Sequence, residues 1–565
     1  MTYRAKLIGA VALALTASLL MPSGVDAATK KTVKKTKKTV KKTTQPKVTA
    51  VAPTTAAVAT PTPGPKSGGK IVYGVGAESN GWLPASQNWA PEGTQVRLSV
   101  IENLVGVNAK GEYVPYLAET ISASSDYKTW TFKLRSGIKF HNGEAFNADA
   151  VVQNITAVQR SPLTGAALLN LAGCQASGDL VVVCAMRSAW VSFPVFMTGS
   201  LGAMVAPAQI KANNTTAPIG TGPFIFKEWK PNEKFVATKN PTWWRGAVSA
   251  DEIEFRVIIS DDARLAALQN GQLNFAHTSA AVAVNEYEAA AKAGKLTTVP
   301  AEGPTQMNYD MLNNALPPFN VKSCRLAAAL AMDLDTLIKI RAQGFTKANG
   351  PFSPGTVGYL KENGYPGYNL DRAKEEYAKC KAANGGKDVE FTMATTTSPE
   401  AIETRNIKKQ MVERAGFTIK TAELPQASYI PAALVGAFQW LTWRNHGGFD
   451  PDGERLWWHS ETAAPPCGNT SCLALNFARF KDGTIDEAFS QIRGNSDPAV
   501  RKKAAEAINQ AFGEEVYYVP NWYSKWILGQ SKGCKGVDDF RLPNGDKAWN
   551  LYGGATPALA YMNCG

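Results

Sequence analysis

Between Asp126 and Ile155 the chain reads DYKTWTFKLRSGIKFHNGEAFNADAVVQNI and passes from one hydrophobic period to another. Trp130, Phe132 and Leu134 alternate with Thr131, Lys133 and Arg135, a period of two that predicts a half-buried strand over Thr129 to Leu134. Gly137 then permits a turn, Ile138 and Phe140 continue the alternation briefly, and His141-Asn142-Gly143-Glu144 supplies turn chemistry. Asn147 precedes Ala148-Asp149-Ala150-Val151-Val152 as a helix cap. The same reading predicts strands at Ile71 to Val75, Val181 to Val183 and Asp251 to Ser260, and a helix from Asp262 to Gly271. Short strands alternating with helices predict an α/β architecture.

The pattern differs at the start of the chain. Arg4 and Lys6 precede an apolar run from Leu7 to Met21, then Pro22-Ser23-Gly24 and the small residues Val25 and Ala27. This is the layout of a secretory signal peptide over 1–27, cut after Ala27, and the run is short for a membrane span. Residues 30–36, KKTVKKT, recur unchanged at 37–43. A basic repeat with one Val per copy cannot bury a core. Residues 28–67, ending in an Ala-, Thr- and Pro-rich stretch, therefore read as a disordered tether. Gly64 to Lys70 fits GxxxxGK, but Ile71 follows the Lys and opens a strand, so it is not a phosphate loop.

Charge follows the tether. The formal net charge is +13, from 60 basic and 47 acidic residues. Losing Arg4, Lys6 and Asp26 with residues 1–27 leaves 58 against 46, and nine of those lysines lie between Lys30 and Lys47, so the remainder holds 49 against 46. A nearly neutral body argues against nucleic acid as a partner, whereas Lys30 to Lys47 suit electrostatic attachment to an anionic wall or membrane surface.

All eight cysteines fall beyond residue 27. An even count in an exported chain favours disulfides. Cys174 and Cys184 flank a turn and a strand and suit a hairpin staple; Cys467 with Cys472 and Cys534 with Cys564 are the next pairs, leaving Cys324 with Cys380 by elimination. Zinc at Cys467 and Cys472 near His459 is the competing reading, but the Pro and Gly surroundings suit a loop staple better.

The block from Asp126 to Ile155 closely resembles the "FxLRxGvkFhdGxpftAeDVvxs" segment of family 5 extracellular solute-binding proteins, the peptide-binding partners of ABC importers. The resemblance continues through Gly111 to Glu119, Gly220-Thr221-Gly222-Pro223-Phe224, Asn240 to Trp244 and Pro317 to Ile340, in the family's order. No cysteine stands at the cleavage site, unlike the family's lipoproteins. The resemblance implies a two-lobed, periplasmic-binding-protein-like fold of type II (Venus-flytrap) with an extra inserted domain. Lobe one would comprise 68–112, 218–302 and 531–565, the insertion 113–217 and lobe two 303–530. Gly220-Thr221-Gly222-Pro223 and Glu302-Gly303-Pro304 would mark crossings and hinges.

The run Trp440 to Asp452 resembles the family's "WxxDxxDP" loop, in which an aspartate three residues after the Trp neutralises the ligand's α-amino group. Here His446 holds that position after Trp443, and the Asp-Pro pair comes one residue late at Asp450-Pro451. Asp450 could take over the ammonium; Arg444, Asn445 and His446 suit an anionic or hydroxyl-rich ligand. For Arg444 the competing reading is an ion pair with Asp452 or Glu454. Trp440, Trp82 and Tyr309 complete the candidate ligand-binding residues, since a flat ring covers an apolar ligand or a sugar face.

These features imply an exported, monomeric substrate-capture protein that hands its ligand to ABC permease subunits. An oligopeptide is the default ligand, with glycan, opine-like compound or metal chelate as alternatives. No cofactor or metal is expected. A hydrolase is disfavoured by the lack of G-x-S-x-G or H-E-x-x-H and by only four His. A wall-associated sensor or adhesin, suggested by the lysine repeat, is the third reading.

Overall fold

A computed structural model describes residues 68–565 apart from 78, 88, 445–447, 464–472, 539 and 550–557. Every described residue belongs to one compact unit within Ala56–Gly565. The predicted signal peptide and the whole of the predicted tether lie outside the described residues. Among those residues no helix is long and apolar enough to cross a membrane.

Thr129–Leu134 forms the predicted strand, burying Trp130, Phe132 and Leu134 while Lys133 faces solvent. Asn147 caps the helix Ala148–Gln159 by accepting a hydrogen bond from the Ala150 amide at 3.0 Å. The strand sits in a four-stranded antiparallel sheet ordered Ala118–Ala123, Thr129–Leu134, Val181–Met186, Leu171–Ala176. Cys174 and Cys184 face each other in its last pair and are joined. Cys324–Cys380 and Cys534–Cys564 are also joined, as predicted. Cys467 and Cys472 lie outside the described residues.

The largest sheet has seven strands from three separate stretches of sequence, ordered Thr297–Pro300, Ile527–Gln530, Phe275–Thr278, Lys70–Val75, Glu252–Val257, Lys234–Lys239, Phe224–Lys230. Its centre is parallel and its flanks antiparallel. A second sheet is ordered Thr418–Leu424, Glu390–Thr396, Trp440–Arg444, Gln306–Leu312, Tyr518–Ser524. The chain crosses between the two sheets at residues 301–305 and again at 525–526.

The second crossing corrects one predicted boundary. Ile527–Gln530, assigned from sequence to lobe two, pairs with Phe275–Thr278 and Thr297–Pro300 in the seven-stranded sheet. Gly529 allows the close approach: a Cβ there would lie 2.6 Å from Leu268 and 2.7 Å from the Tyr287 ring. Gly303, at φ +87°, lies in the first crossing as predicted. Gly220 and Gly222 lie on the stretch by which the chain leaves the four-stranded sheet, after Val181–Met186, and enters the seven-stranded sheet at Phe224–Lys230; they let the chain pack on the backbone of Val100, whose carbonyl would meet an added Cβ at 1.9 and 2.7 Å.

One continuous core joins the seven-stranded sheet, through Tyr73 and Phe255, to the four-stranded sheet at Phe132 and Val182. Within the five-stranded sheet's half, Lys408 and Asp310 form a fully buried ion pair at 2.8 Å. Thr442 and Asn521 donate to the same carboxylate, at 2.8 and 3.2 Å. That added bonding offsets the desolvation that such a pair otherwise suffers.

Candidate ligand-binding cleft

A cavity of about 240 Å³ lies where the two sheets' halves and the inserted four-stranded unit meet. Its first wall is the helix Pro91–Leu98. Pro91 at the first helical position favours the start, and Pro91, Thr94 and Arg97, three residues apart, share the face that lines the cavity. Val107 and Tyr113, from the hairpin Val105–Val107 and Tyr113–Pro115, continue this wall.

Arg97 is only 2% exposed. Its Nη1 donates to Asn103 Oδ1 at 2.7 Å and to the Ile101 carbonyl at 3.4 Å, and its guanidinium lies 5.2 Å from the Trp89 ring centre. Its Nε has no acceptor. Burial alone pushes its pKa down to about 9.

The opposite wall is the loop entering the short helical turn Pro451–Glu454. Asp450 caps this turn, accepting from the Asp452 amide at 2.9 Å, and pairs with Arg501 at 2.5 Å. Burial pushes Asp450 up to about 6 against the opposing pull of Arg501. Asp452 is fully buried and receives Trp190 Nε1 at 2.9 Å, the Ser192 hydroxyl and Arg493 Nη2 at 3.1 Å. It therefore ties the loop to the inserted unit. Glu454, 6% exposed, lines both the cavity and a small adjoining void of about 10 Å³ walled by Tyr309, Trp443, Trp457 and Tyr518. A void that size holds about one water at most.

Phe449 carries the loop across to the first wall. Its ring packs edge-on against Trp549 at 4.9 Å and fills the space above Gly111 and Gly303. Arg444, at the end of Trp440–Arg444, also reaches across: it donates to the Ser279 hydroxyl and stacks 4.5 Å from the Trp526 ring centre.

The structure brings some of the residues singled out from sequence to the cavity and not others. Asp450 lines it, while Tyr309 and Trp443 line the adjoining void. Arg444 makes a contact between the two halves, and Asp452 pairs with Arg493. Two assignments need correction. Trp82 is 1% exposed and packs on Trp229 and Phe235; Trp440 is 1% exposed and stacks on Phe391. Both rings serve hydrophobic cores because their strands and loops turn them inward. Asn445 and His446 lie outside the described residues. Sequence reasoning missed Trp89, Arg97, Glu454 and Trp549. The single legible sign was the three-residue spacing of Pro91, Thr94 and Arg97.

The described histidines do structural work. His141 Nε2 lies 2.9 Å from the Gly222 carbonyl and His277 Nδ1 lies 3.0 Å from the Tyr73 hydroxyl, and burial pushes both down to about 4. His459 caps the turn Ser460–Thr462. Among the described residues no group of three or more His, Cys, Asp or Glu could hold a metal ion.

The chain thus passes between the two sheets at two crossings, with the cavity beside them. Residues 112–465 match the model of the bacterial extracellular solute-binding proteins, family 5 middle region. The chain belongs to this family. Family 5 proteins are the periplasmic or extracellular ligand-binding components of ABC importers. The glutathione-binding protein GsiB of Pectobacterium atrosepticum is 29% identical over 300 residues, 51% of this chain and 57% of that protein. This family 5 protein thus spans a little over half the length of that relative. The oligopeptide-binding protein AppA of Bacillus subtilis, solved with a nonapeptide, superposes with a TM-score of 0.77 at 22% identity, covering 89% of this chain and all of the other. AgaA of A. tumefaciens R10, solved with agropinic acid, gives 0.77 at 20% identity, covering 88% and 99%. These two likenesses establish the type II binding-protein fold.

Proposed function

We propose that this family 5 protein acts outside the cytoplasm, captures one small ligand in the cavity between its lobes and presents the closed form to ABC permease subunits. The observation that carries this reading is the cavity itself, lined by Arg97 and Trp89 from one lobe, Asp450 and Glu454 from the other and Phe196 from the inserted unit. A ligand touching all three holds them together, so binding shifts the population towards closure. The division into lobe one (68–112, 218–302 and the returning C-terminal segment), insertion (113–217) and lobe two from 303 supports that reading.

The ligand we propose is a short peptide or a peptide-like acid. A volume of about 240 Å³ suits a small ligand and is too little to enclose a long peptide in this conformation. Asp450 and Asp452 already face Arg501 and Arg493, so neither offers an uncompensated charge to a ligand ammonium. GsiB and AgaA, which bind glutathione and agropinic acid, are compatible relatives.

Native mass spectrometry of the purified protein tests the reading. A bound molecule of a few hundred daltons, released on unfolding, is expected. A protein that carries nothing and gains no thermal stability from peptide, sugar or metal-chelate panels, or that turns one of them over, overturns it.

A further inference from the structure

We infer that Arg97 is the anion subsite of the cleft and that it receives a carboxylate of the ligand; this rests on the capture reading above. A guanidinium has five N–H donors in a planar fork. In Arg97 the Nη1 group is occupied by Asn103 and Ile101, which fixes the plane of the group. The Trp89 ring covers it at 5.2 Å. The remaining edge, Nε with Nη2, makes no hydrogen bond among the described residues, although Nε is fully buried. That edge is the one that binds a carboxylate through two parallel hydrogen bonds.

Charge gives a second, independent indication. Arg493 and Arg501, which flank the opposite wall, each hold an aspartate. Arg97 has no carboxylate partner among the described residues, and its burial is uncompensated by any nearby acid. A buried cation facing a cavity without its counter-charge is a costly arrangement unless the occupant supplies the anion. Thr94, on the same helix face, and Ser200 of the inserted unit line the cavity beside it and offer hydroxyls to the same oxygens. The subsite therefore selects ligands that carry an acidic group, and places that group on the lobe-one wall, opposite Glu454. Lysine at this position would keep the charge and lose the fork.

The test uses the folded protein freed of co-purified ligand, with trialanine and trialanine amide, and glutathione and its dimethyl ester, as matched probes in calorimetric titrations. The wild type is expected to bind each acid roughly tenfold to a hundredfold more tightly than its neutral counterpart, the range for hydrogen bonds to a charged group. Arg97→Gln should remove that preference by weakening the acids to the level of the neutral probes. Arg97→Lys should keep part of it, and serves if the glutamine variant does not fold. Equal wild-type affinity for acid and neutral probe overturns the anion subsite and leaves capture standing. A co-purified molecule without an acidic group does the same. A protein that binds none of the probes and carries no molecule overturns both readings together.

Discussion

Phe449 occupies the space into which a Cβ on Gly111 would project, 2.3 Å from the nearest ring atoms. The ring comes from the loop after Trp440–Arg444 and the glycine from the hairpin of Val105–Val107 and Tyr113–Pro115, so the contact joins two walls of the cavity. Gly111 also sits at φ +85°, where a side chain strains the backbone.

Gly111→Ala should therefore expel the ring and strain the turn together, lowering stability by roughly 2–3 kcal/mol and weakening ligand binding. Phe449→Ala should cost less, and the double variant should lose less than the sum of the two. Urea unfolding of the three proteins measures this; strict additivity would mean that the ring and the glycine do not interact.

Arg444 joins the halves through the Ser279 hydroxyl and the Trp526 ring. Arg444→Ala should weaken ligand binding about fivefold to tenfold, because it removes a contact made between the lobes. Ser279→Ala should produce part of the same loss. Unchanged affinity in titrations of Arg444→Ala would remove this contact from the closing mechanism.

Asp450 provides a pH signature. Its folded pKa is raised to about 6 from the ordinary carboxylate value of about 4, chiefly by burial. The folded state holds the proton more tightly than the unfolded chain, so this group's contribution to stability is full below about pH 4 and is lost as pH rises through about 6. The loss amounts to about 2–3 kcal/mol. Wild type compared with Asp450→Asn across pH 4 to 7 should show that difference changing against the wild type. A constant difference would contradict the shift.

Lys408 and Asp310 are buried together at 2.8 Å with Thr442 and Asn521 around them. Lys408→Met leaves the aspartate uncompensated and should destabilise the protein by about 3–5 kcal/mol. Adding Asp310→Asn should recover part of that. Chemical denaturation of both variants checks the order.

Much of the scaffold is legible from local pattern. The alternation at Thr129 to Leu134, the Asn147 cap and the Cys174–Cys184 hairpin staple depend on neighbours in sequence, and all three form as the residues predict. The passage between the two sheets at 301–305 carries Gly303 at φ +87°, a glycine the sequence already singled out. Ile527–Gln530 was not: a four-residue apolar strand suits either sheet, and only pairing with Phe275–Thr278 and Thr297–Pro300 decides which one takes it.

The sequence by itself determined the family, the strand and helix elements and the Cys174–Cys184 staple, because these are set by periodicity, capping and residue identity within short stretches, while Cys324–Cys380 followed only by elimination. It also marked the loop from Trp440 to Asp452 as the place where this chain departs from peptide binders. Tertiary structure alone decided which aromatics line the cavity. Trp82 and Trp440 turned into cores, while Arg97, without a motif around it, was set opposite Glu454 across the cleft. The cavity is lined by residues hundreds of positions apart, and its charge balance exists only once Asp450 and Asp452 have found their arginines while Arg97 has no acid beside it among the described residues.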